Sequence, residues 1–266
     1  MQHLPRVLID AVPTATFQRQ EPAEELRPYV AFFWQSQPAA ELRSFVLPNA
    51  QGVLSFNLGR QPWYSDAPPH PRRVFARSQV FGHLTRPCCC CYPAGTELFG
   101  VTLQPGALAL LLGVPAPALA DLAADLTALL PLASLEAELR REPAFAGRVA
   151  LLQAWLRAQF RGAPVDYRYQ LVQAAAARFG RPGAGQYVVE QAAAQVSVTP
   201  KSLTRYFQQV VGLGPKRCAQ LARFKLALAA YRQYGSAWDY EAAGYADFAH
   251  FARSSHRLLG RGLAGL

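Results

Sequence analysis

The last third of the chain contains a short helix, a tight turn and a second helix in close succession, and this pattern limits the fold of that region most strongly. An alanine-rich helix is predicted over Tyr187–Gln195 and is followed by the turn Val196–Val198. Thr199 then occupies an N-cap position, and Pro200 occupies the first helical position, where its missing N–H leaves no bond unmade. Two short helices joined by three or four residues predict a helix-turn-helix, whose second helix extends to about Gly212.

The same layout returns near the end of the chain. Ser236–Ala243 is predicted to be a short helix and Gly244–Ala246 the turn, after which Asp247 caps a further helix. Between the two copies lies Pro215–Tyr234, a continuous helical pattern with a proline at its start and a glycine just after its end. At about 1.5 Å per residue this linker helix spans roughly 28 Å. The two reading helices are therefore expected near the spacing of one DNA turn, roughly 34 Å.

The first hundred residues show a strand-like pattern instead. The predicted strands are Phe45–Leu47, Gly52–Leu58, Val74–Phe81 and Leu98–Leu103. Glu24–Trp34 has its apolar residues on one helical face and is predicted to be a helix. Further helices are predicted at Gly106–Leu112, Ala118–Leu129, Glu142–Phe160 and Tyr167–Phe179. The fold class is therefore predicted to be α+β: a β-rich N-terminal domain with helices, then an all-α domain with two helix-turn-helix units joined by a long linker helix.

The clearest break in the helical pattern is Gly180–Gly185, which reads GRPGAG. It divides the chain into three predicted segments. Residues 1–162 form the first domain, residues 163–185 a connecting helix with a Gly/Pro linker, and residues 186–266 the second domain.

Positive charge is concentrated in the last segment. Residues 164–266 hold 13 Lys and Arg against 5 Asp and Glu, a net charge of +8, whereas residues 1–163 carry a net charge of +2. This asymmetry favours a polyanionic partner, with nucleic acid first. No stretch of about 18 uncharged apolar residues occurs, and Met1–Arg6 lacks the basic and apolar regions of a secretory signal. We therefore expect a cytoplasmic protein that has no membrane partner.

Several short strings in the basic segment occur together. They are LTRYF at Leu203–Phe207, GPKR at Gly214–Arg217, GYAD at Gly244–Asp247, and the single residues Ala194, Gly212, His250, Phe251 and Arg253. On these residues, the stretch from about 186 to 260 resembles the DNA-binding domain of AraC/XylS-type bacterial transcription regulators. The resemblance implies a one-component regulator that binds double-stranded DNA with sequence specificity.

The resemblance also implies which positions contact DNA. In the first recognition helix they correspond to Lys201, Ser202, Thr204 and Arg205, and in the second to Phe248, Ala249, Ala252 and Arg253. Four further polar residues of the segment complete the predicted DNA-binding set: Gln208, Lys216, Arg217 and Arg257. Arg205 and Arg253 are best suited to a base or a phosphate, because a guanidinium pairs bidentately with guanine or with phosphate. The other cations are suited to sequence-independent phosphate binding.

The second unit departs from the family pattern. Phe248 and Ala249 stand where polar residues are usual, and Ser255 stands where an aromatic residue is usual. Phe248 and Ala249 can touch a thymine methyl group but make no hydrogen-bonded readout of a base. We therefore expect the first unit to carry the specificity and the second to act as a weaker, largely electrostatic clamp.

The first half carries a second resemblance in LRPYV at Leu26–Val30, LPNA at Leu47–Ala50 and FGVTLQPGA at Phe99–Ala107. These strings resemble the sensor-like domain that precedes many such DNA-binding domains. The resemblance implies a β-rich, often barrel-like domain that binds a small-molecule effector or mediates dimerisation, so an effector and a homodimer are candidate partners. The aromatic side chains of this region, Trp34, Phe45, Phe56 and Phe81, are interpreted as core packing rather than as a ligand box.

Four consecutive cysteines, Cys88–Cys91, are the most unusual feature of the first half. In an extended strand Cys88 and Cys90 face one way, and Cys89 and Cys91 face the other. Cys88 and Cys90 together with His83 would offer three soft ligands, yet the spacing matches no ordinary zinc pattern, so neither a metal nor a cofactor is predicted. The alternative function is a thiol- or metal-dependent sensor, or an alkyl-acceptor repair protein, that uses Cys88–Cys91 and binds DNA as an accessory activity.

No other catalytic pattern is present in the sequence. G-x-S-x-G, phosphate-loop and H-E-x-x-H strings are absent, and the five histidines are scattered. The chain is therefore not expected to be an enzyme, and no catalytic residue is assigned.

Overall fold

The computed structural model describes residues 17–66, 71–161, 166–177, 179, 189–235 and 238–259. The strands lie within the first 125 residues. They are β1 (Phe17–Gln20), β2 (Val30–Ser36), β3 (Leu42–Val46), β4 (Val53–Asn57), β5 (Trp63–Asp66), β6 (Arg73–Phe75), β7 (Gln79–Phe81), β8 (Cys88–Tyr92), β9 (Leu98–Leu103) and β10 (Ala123–Asp125). The β-rich first region is thereby confirmed, and β9 has the predicted bounds, whereas the predicted strand Val74–Phe81 is divided between β6 and β7.

The strands form two antiparallel sheets that face one another. One has six strands in the order β1-β2-β9-β4-β7-β10, and the other has four in the order β3-β8-β5-β6. An apolar cluster lies between them, with Trp34 from the larger sheet and Trp63 from the smaller one. Two stacked antiparallel sheets of this kind enclose a central space, as in double-sheet jelly rolls.

The larger sheet is covered by helices on its other face. All six residues of β9 are buried, because β9 contacts the small sheet on one side and the helical layer on the other. Phe99 and Val101 of β9 belong to the main core, together with Val149 and Leu152 from the longest helix of this layer. The position of the helical layer explains why this central strand reads as a continuous apolar run rather than an alternation.

The α-helices of the described residues begin after β9. They are α1 (Ala107–Leu112), α2 (Leu126–Leu129), α3 (Ala133–Arg141), α4 (Phe145–Arg161), α5 (Tyr167–Ala176), α6 (Val189–Gln195), α7 (Pro200–Val211), α8 (Pro215–Tyr234) and α9 (Phe248–Leu259). The first helix-turn-helix is therefore present as α6 and α7, and the linker helix α8 has the predicted bounds. The predicted break at residues 180–185 lies outside the described residues. None of the helices in the described ranges is both long and apolar enough to cross a membrane.

Two helices predicted from local periodicity are wrong. Glu24–Trp34 forms only a 3-10 turn at Glu24–Leu26, after which β2 pairs with β9 along most of its length. Ala118–Leu129 is interrupted by Asp121, whose φ of 53° ends the 3-10 helix Ala116–Leu119, and it then forms β10 against β7. In both cases pairing with a distant strand outweighs the helical spacing of the apolar residues.

The first helix of the second unit is also reduced. Residues 238–247 form turns and bends, and residues 236–237 lie outside the described part of the chain. Asp239 accepts a hydrogen bond from the Ala242 amide, and Gly244 takes a left-handed φ of 76° two residues later. Because the cap and the left-handed glycine are only five positions apart, the segment closes a single turn and does not extend into a helix.

The main core includes residues from both halves of the chain. Leu203, Phe207 and Val210 of α7 belong to the same apolar cluster as the sheet and the helices α4 and α5. A smaller aromatic cluster holds α8 and α9 together, and Leu47, which follows β3, also belongs to it. The first helix-turn-helix is therefore packed directly against the N-terminal region.

Candidate nucleic-acid interface

The sequence around α7 fixes both ends of this helix. The Thr199 hydroxyl accepts a hydrogen bond from the Ser202 amide at 3.1 Å, which confirms the predicted N-cap, and Pro200 occupies the first turn. Gly212 ends the helix with a φ of 80°, in the left-handed region that glycine favours. With Leu203 and Phe207 buried, the polar side chains must lie on the opposite face.

The predicted contact residues of the first unit lie on that outer face. Lys201, Thr204, Arg205, Gln208 and Lys216 are exposed, and Ser202 and Arg217 are half-buried. Lys201, Arg205 and Lys216 line one shallow depression, with Glu190 of α6 at its edge. The structure therefore brings together cations that are separated in sequence by up to fifteen positions.

These cations have no carboxylate partner in the part of the chain that is described. No ion pair of the described residues involves Lys201, Arg205 or Lys216. Unpaired cations on one face produce a positive potential that attracts phosphate. The first unit therefore has the electrostatics of a polyanion-binding surface.

Arg205 has an aromatic neighbour that sequence reasoning did not identify. Its guanidinium lies 5.3 Å from the centre of the Tyr206 ring, and the Tyr206 and Tyr167 hydroxyls are 3.4 Å apart. The hydrogen bond from Tyr167, followed by the one from Arg205, lowers the pKa of Tyr206. The sequence shows that Tyr206 follows Arg205 in the LTRYF string. The contact of Tyr206 with Tyr167 could not be predicted, because it depends on how α5 packs beside α7.

The two hydroxyl residues of the first unit are partly committed to local bonds. Thr204 donates to the carbonyl of Pro200 at 2.9 Å, and the Ser202 hydroxyl lies 3.0 Å from the Thr199 hydroxyl. Each hydroxyl keeps acceptor capacity after such a bond. Because Thr199 is the donor in its bond with Ser202, the Ser202 hydroxyl keeps its own proton for donation to DNA, whereas Thr204 is better placed to accept a hydrogen bond.

The second recognition helix, α9, is capped as predicted. Asp247 accepts from the His250 amide at 2.6 Å, and the His250 ring accepts from the Ala246 amide at 3.3 Å. Phe248, Ala249, Arg253 and Arg257 are exposed and Ala252 is half-buried, so the predicted residues are accessible. Phe248 is 43% exposed although its ring also contacts Tyr231 in a tilted arrangement and Tyr240 edge-on.

The opposite face of α9 is held by aromatic rings. Phe251 is fully buried and contacts the rings of Phe224, Trp238 and Tyr245. Ser255 is buried too, and its hydroxyl donates to the Phe251 carbonyl at 2.8 Å. The small side chain at position 255 is therefore satisfied within its own helix, while the ring contacts come from the turn before α9 and from α8.

A second candidate site is a cavity of about 830 Å³ between the two sheets. Trp34, Trp63, Phe75 and Phe81 line it, together with Cys88, Cys90 and the buried Ser36 and Ser55. The interpretation of the aromatic residues as core packing holds for Phe56 in the main core and for Trp34 in the cluster between the sheets, and Trp34 and Phe81 also line the cavity. This volume and this mixture of apolar walls with a few polar groups are typical of small-molecule sites.

The three soft ligands considered in the sequence do not meet. Cys88 and Cys90 line the cavity, while His83 lies on the far side of its own segment, against Gly212 at the end of α7. Burial lowers the pKa of His83, and its Nε2 atom has no hydrogen-bond partner among the described groups. In the described ranges, no group of three or more His, Cys, Asp or Glu side chains is placed to hold a metal ion.

The cavity wall and the recognition helix share one segment. Gly82, Leu84 and Thr85 line the cavity, and His83 between them faces α7. A Cβ atom built on Gly212 would lie 2.7 Å from the His83 ring and 3.0 Å from the Ala116 carbonyl. Because any Cβ atom at position 212 would overlap these groups, only glycine fits there. The segment that contains His83 therefore separates the end of α7 from the cavity.

Comparison with known proteins gives one family match and several remote structural neighbours. Residues 18–125 match the family model described as a domain of unknown function, DUF6597. No curated protein matches the chain. Two solved structures of ToxT from Vibrio cholerae, one with bound unsaturated fatty acid and one from strain O395, are each 8% identical to this chain. Both cover 94% of this chain, they cover 94% and 96% of their own, and their TM-scores are 0.44 and 0.45.

A structure of PhpD with cadmium and hydroethylphosphonate is more remote, with 13% identity and a TM-score of 0.22 over 79% of this chain and 54% of its own. At such identities no residue role carries over from any of these proteins. The function has to follow from the side chains of this chain.

Proposed function

We propose that this chain is a one-component transcription regulator that binds double-stranded DNA with sequence specificity. The observation that carries the proposal is the outer face of α7, where Lys201, Arg205 and the neighbouring Lys216 are exposed and have no carboxylate partner among the described residues. Residues 186–266 form the DNA-binding domain in this proposal, and residues 1–162 form the sensor or dimerisation domain.

The first turns of α7 enter the major groove. Arg205 pairs bidentately with guanine O6 and N7 or with a phosphate, while Ser202 donates a hydrogen bond to a base edge and Thr204 accepts one. Lys201, Lys216 and Arg217 neutralise phosphates and position the helix without reading sequence. Helix α8, at about 1.5 Å per residue, separates the two units so that α9 reaches the next turn of the same DNA face.

Helix α9 acts as the second, weaker contact. Arg253 and Arg257 provide charge for phosphates, whereas Phe248 and Ala249 offer only apolar contact to a thymine methyl group. This division makes the first unit the source of most discrimination between bases. The charges of the second unit increase affinity for all sequences.

Control by an effector follows from the shared wall of the cavity. A ligand between the sheets would press on Gly82 and Leu84, and His83 in the same segment contacts the end of α7. Two states of this segment would then present α7 differently, which couples the two sites through a differential contact. A small-molecule effector, and a homodimer formed by the first domain, remain the proposed partners, and no enzymatic step is part of the mechanism.

The test is a selection from a random double-stranded DNA library with the purified full chain, at low and at moderate salt. The proposal predicts that one motif is enriched, and that affinity for the enriched site falls steeply as salt increases. The double variant Lys201→Ala/Arg205→Ala removes two positive charges from the outer face of α7 and should lose the enrichment. A matched control, Arg141→Ala with Arg157→Ala on α3 and α4, removes the same charge from another surface and should keep it.

Binding that depends on salt but enriches no sequence would contradict the proposal. So would equal loss of binding in the control variant, because the effect would then reflect total charge rather than the face of α7. The selection is made with and without extracts of small metabolites, so that a regulator that needs its effector is also detected.

A further inference from the structure

The cavity between the sheets contains two thiols that DNA binding does not use. Cys88 and Cys90 both line it, and their sulfur atoms are 3.9 Å apart. Cys89 is exposed and Cys91 half-buried on the outer face of the same strand, as the predicted alternation requires. One strand therefore carries two thiols inside the cavity and two outside it. The outer pair is a matched control for any reaction of the cavity pair.

The wall of the cavity contains one buried polar group without a partner. The indole N–H of Trp34 has no acceptor among the described residues, and the residue is only 8% exposed. Its ring lies over Gly100, where a Cβ atom would come within 2.6 Å of it. A buried donor without a partner destabilises the fold, so a ligand in this cavity gains by presenting an acceptor to it.

The two cavity thiols are not equivalent. The hydrogen bond from Cys90, with a second from Ser65, lowers the pKa of Cys88 despite its burial. The same pairing and desolvation raise the pKa of Cys90 well above its usual range. Cys88 therefore loses its proton first, while Cys90 keeps its own as a hydrogen-bond donor, and the thiolate is the nucleophilic form of cysteine.

Two other roles for the pair fit the geometry less well. A structural zinc ion takes four ligands, and within the described ranges no third His, Cys, Asp or Glu joins the two sulfurs. A disulfide would require the sulfurs to close to about 2.05 Å. Residues two apart on a strand have Cα atoms about 6.6 Å apart, near the upper limit for such a bond.

We propose that Cys88 captures an apolar α,β-unsaturated carbonyl compound inside this cavity, with the carbonyl oxygen accepting a hydrogen bond from the Trp34 indole. The Cys88 thiolate adds to the β-carbon and forms a C–S bond, while the electron pair of the C=C bond moves to the carbonyl oxygen as an enolate. The α-carbon then takes one proton from water or from the Cys90 thiol. The product is a saturated thioether ketone, so no group leaves and no oxidant is needed. The proposal rests on the proposed function in one respect, because such a compound would be the effector.

The experiment uses the reduced full chain and chalcone, an apolar enone, with the adduct measured by intact mass and located by peptide mapping. The chain and its Cys89→Ser/Cys91→Ser variant should each gain one chalcone, on Cys88. The Cys88→Ser/Cys90→Ser variant should react at least about tenfold more slowly, because its remaining strand thiols lie outside the cavity. Dihydrochalcone, which has the same shape but no C=C bond, should slow the reaction at Cys88.

A second variant guards against misfolding. Trp34→Phe removes the indole N–H and should slow chalcone addition several-fold, while iodoacetamide should still alkylate the exposed Cys89 at an unchanged rate. Cys218 reports on the fold in every variant, because burial raises its pKa to about 12 and keeps it unreactive while the fold is intact.

Chalcone on Cys89 or Cys91, equal rates in the two double variants, or no effect of dihydrochalcone would overturn the proposal. None of these readouts needs DNA. A failed adduct therefore leaves the DNA-binding proposal standing, and a failed selection on DNA leaves the adduct result unchanged.

Discussion

The two recognition helices are supported in different ways. Helix α7 packs its apolar face into the main core, shares that core with the large sheet, and ends against His83 of the cavity wall. Helix α9 packs into a separate aromatic cluster with α8, and its preceding helix is replaced by a single turn. The N-terminal region touches this second cluster mainly through residues near β3, Leu47 and Phe45.

This difference suggests how the two units divide their work. A helix embedded in the core of the N-terminal region can change its presentation when that region changes, whereas a helix held by local rings keeps its place on α8. If the first region binds an effector as proposed, regulation should act through the first unit, and the second should contribute affinity that depends little on the state of the first domain.

The largest effect is expected from Phe251→Ala. Phe251 is fully buried at the centre of the aromatic cluster, so its truncation should cost about 3–5 kcal/mol, measured by urea unfolding. Phe248→Ala on the same helix, at a residue 43% exposed, is the matched control and should cost much less. Equal losses would show that α9 is not held by this cluster.

A smaller effect is expected at the contact between α7 and the cavity wall. Gly212→Ala forces a left-handed φ on alanine and presses its Cβ against His83, so a loss of about 2–3 kcal/mol is expected. Gly113→Ala is the control, because Gly113 also has a positive φ of 65° but nothing within 4 Å of a built Cβ. It should lose only about 1 kcal/mol, the cost of the backbone conformation. Similar losses at both positions would argue that α7 does not press on the wall.

The smallest effect is a pH dependence from His83. Burial lowers the pKa of His83 below its ordinary value of 6.5, although the charge of Asp121 opposes part of the shift. The folded protein then binds fewer protons than the unfolded chain as pH falls through 6.5, so its stability should decrease below that pH. His83→Gln should show a shallower decrease between pH 7.5 and pH 5.5 in urea unfolding. An identical pH profile in the variant would show that another group causes the pH dependence of stability.

Features fixed by local chemistry could be predicted from the sequence. Thr199 and Pro200 define the start of α7, Asp247 defines the cap of α9, and the alternation of Cys88 to Cys91 shows in β8 as expected. These signals depend on neighbours within a few residues. The resemblance to one family added the positions of the contact residues, which the structure places on accessible faces.

Features fixed by distant partners could not be predicted in this way. Glu24–Trp34 looks helical in isolation, but its part from Val30 onward is a strand because Leu98–Leu103 lies beside it, about seventy residues away. The cavity, the position of His83 against Gly212 and the contact of Tyr206 with Tyr167 likewise depend on which elements pack together. Turn chemistry also misled the prediction at Asp239–Gly244, where a cap and a left-handed glycine leave room for one turn only.

In the proposed mechanism α7 reads bases, while α9 mainly supplies charge. Arg205→Ala and Arg253→Ala separate these two roles, when affinities are measured for the enriched site and for each of its single-base variants over a series of salt concentrations. Arg205→Ala should lose about 1–3 kcal/mol on the enriched site and lose discrimination at one base position. Arg253→Ala should weaken binding to all sequences alike and reduce the salt slope by about one. Lost discrimination in Arg253→Ala, with uniform weakening in Arg205→Ala, would contradict this division of roles.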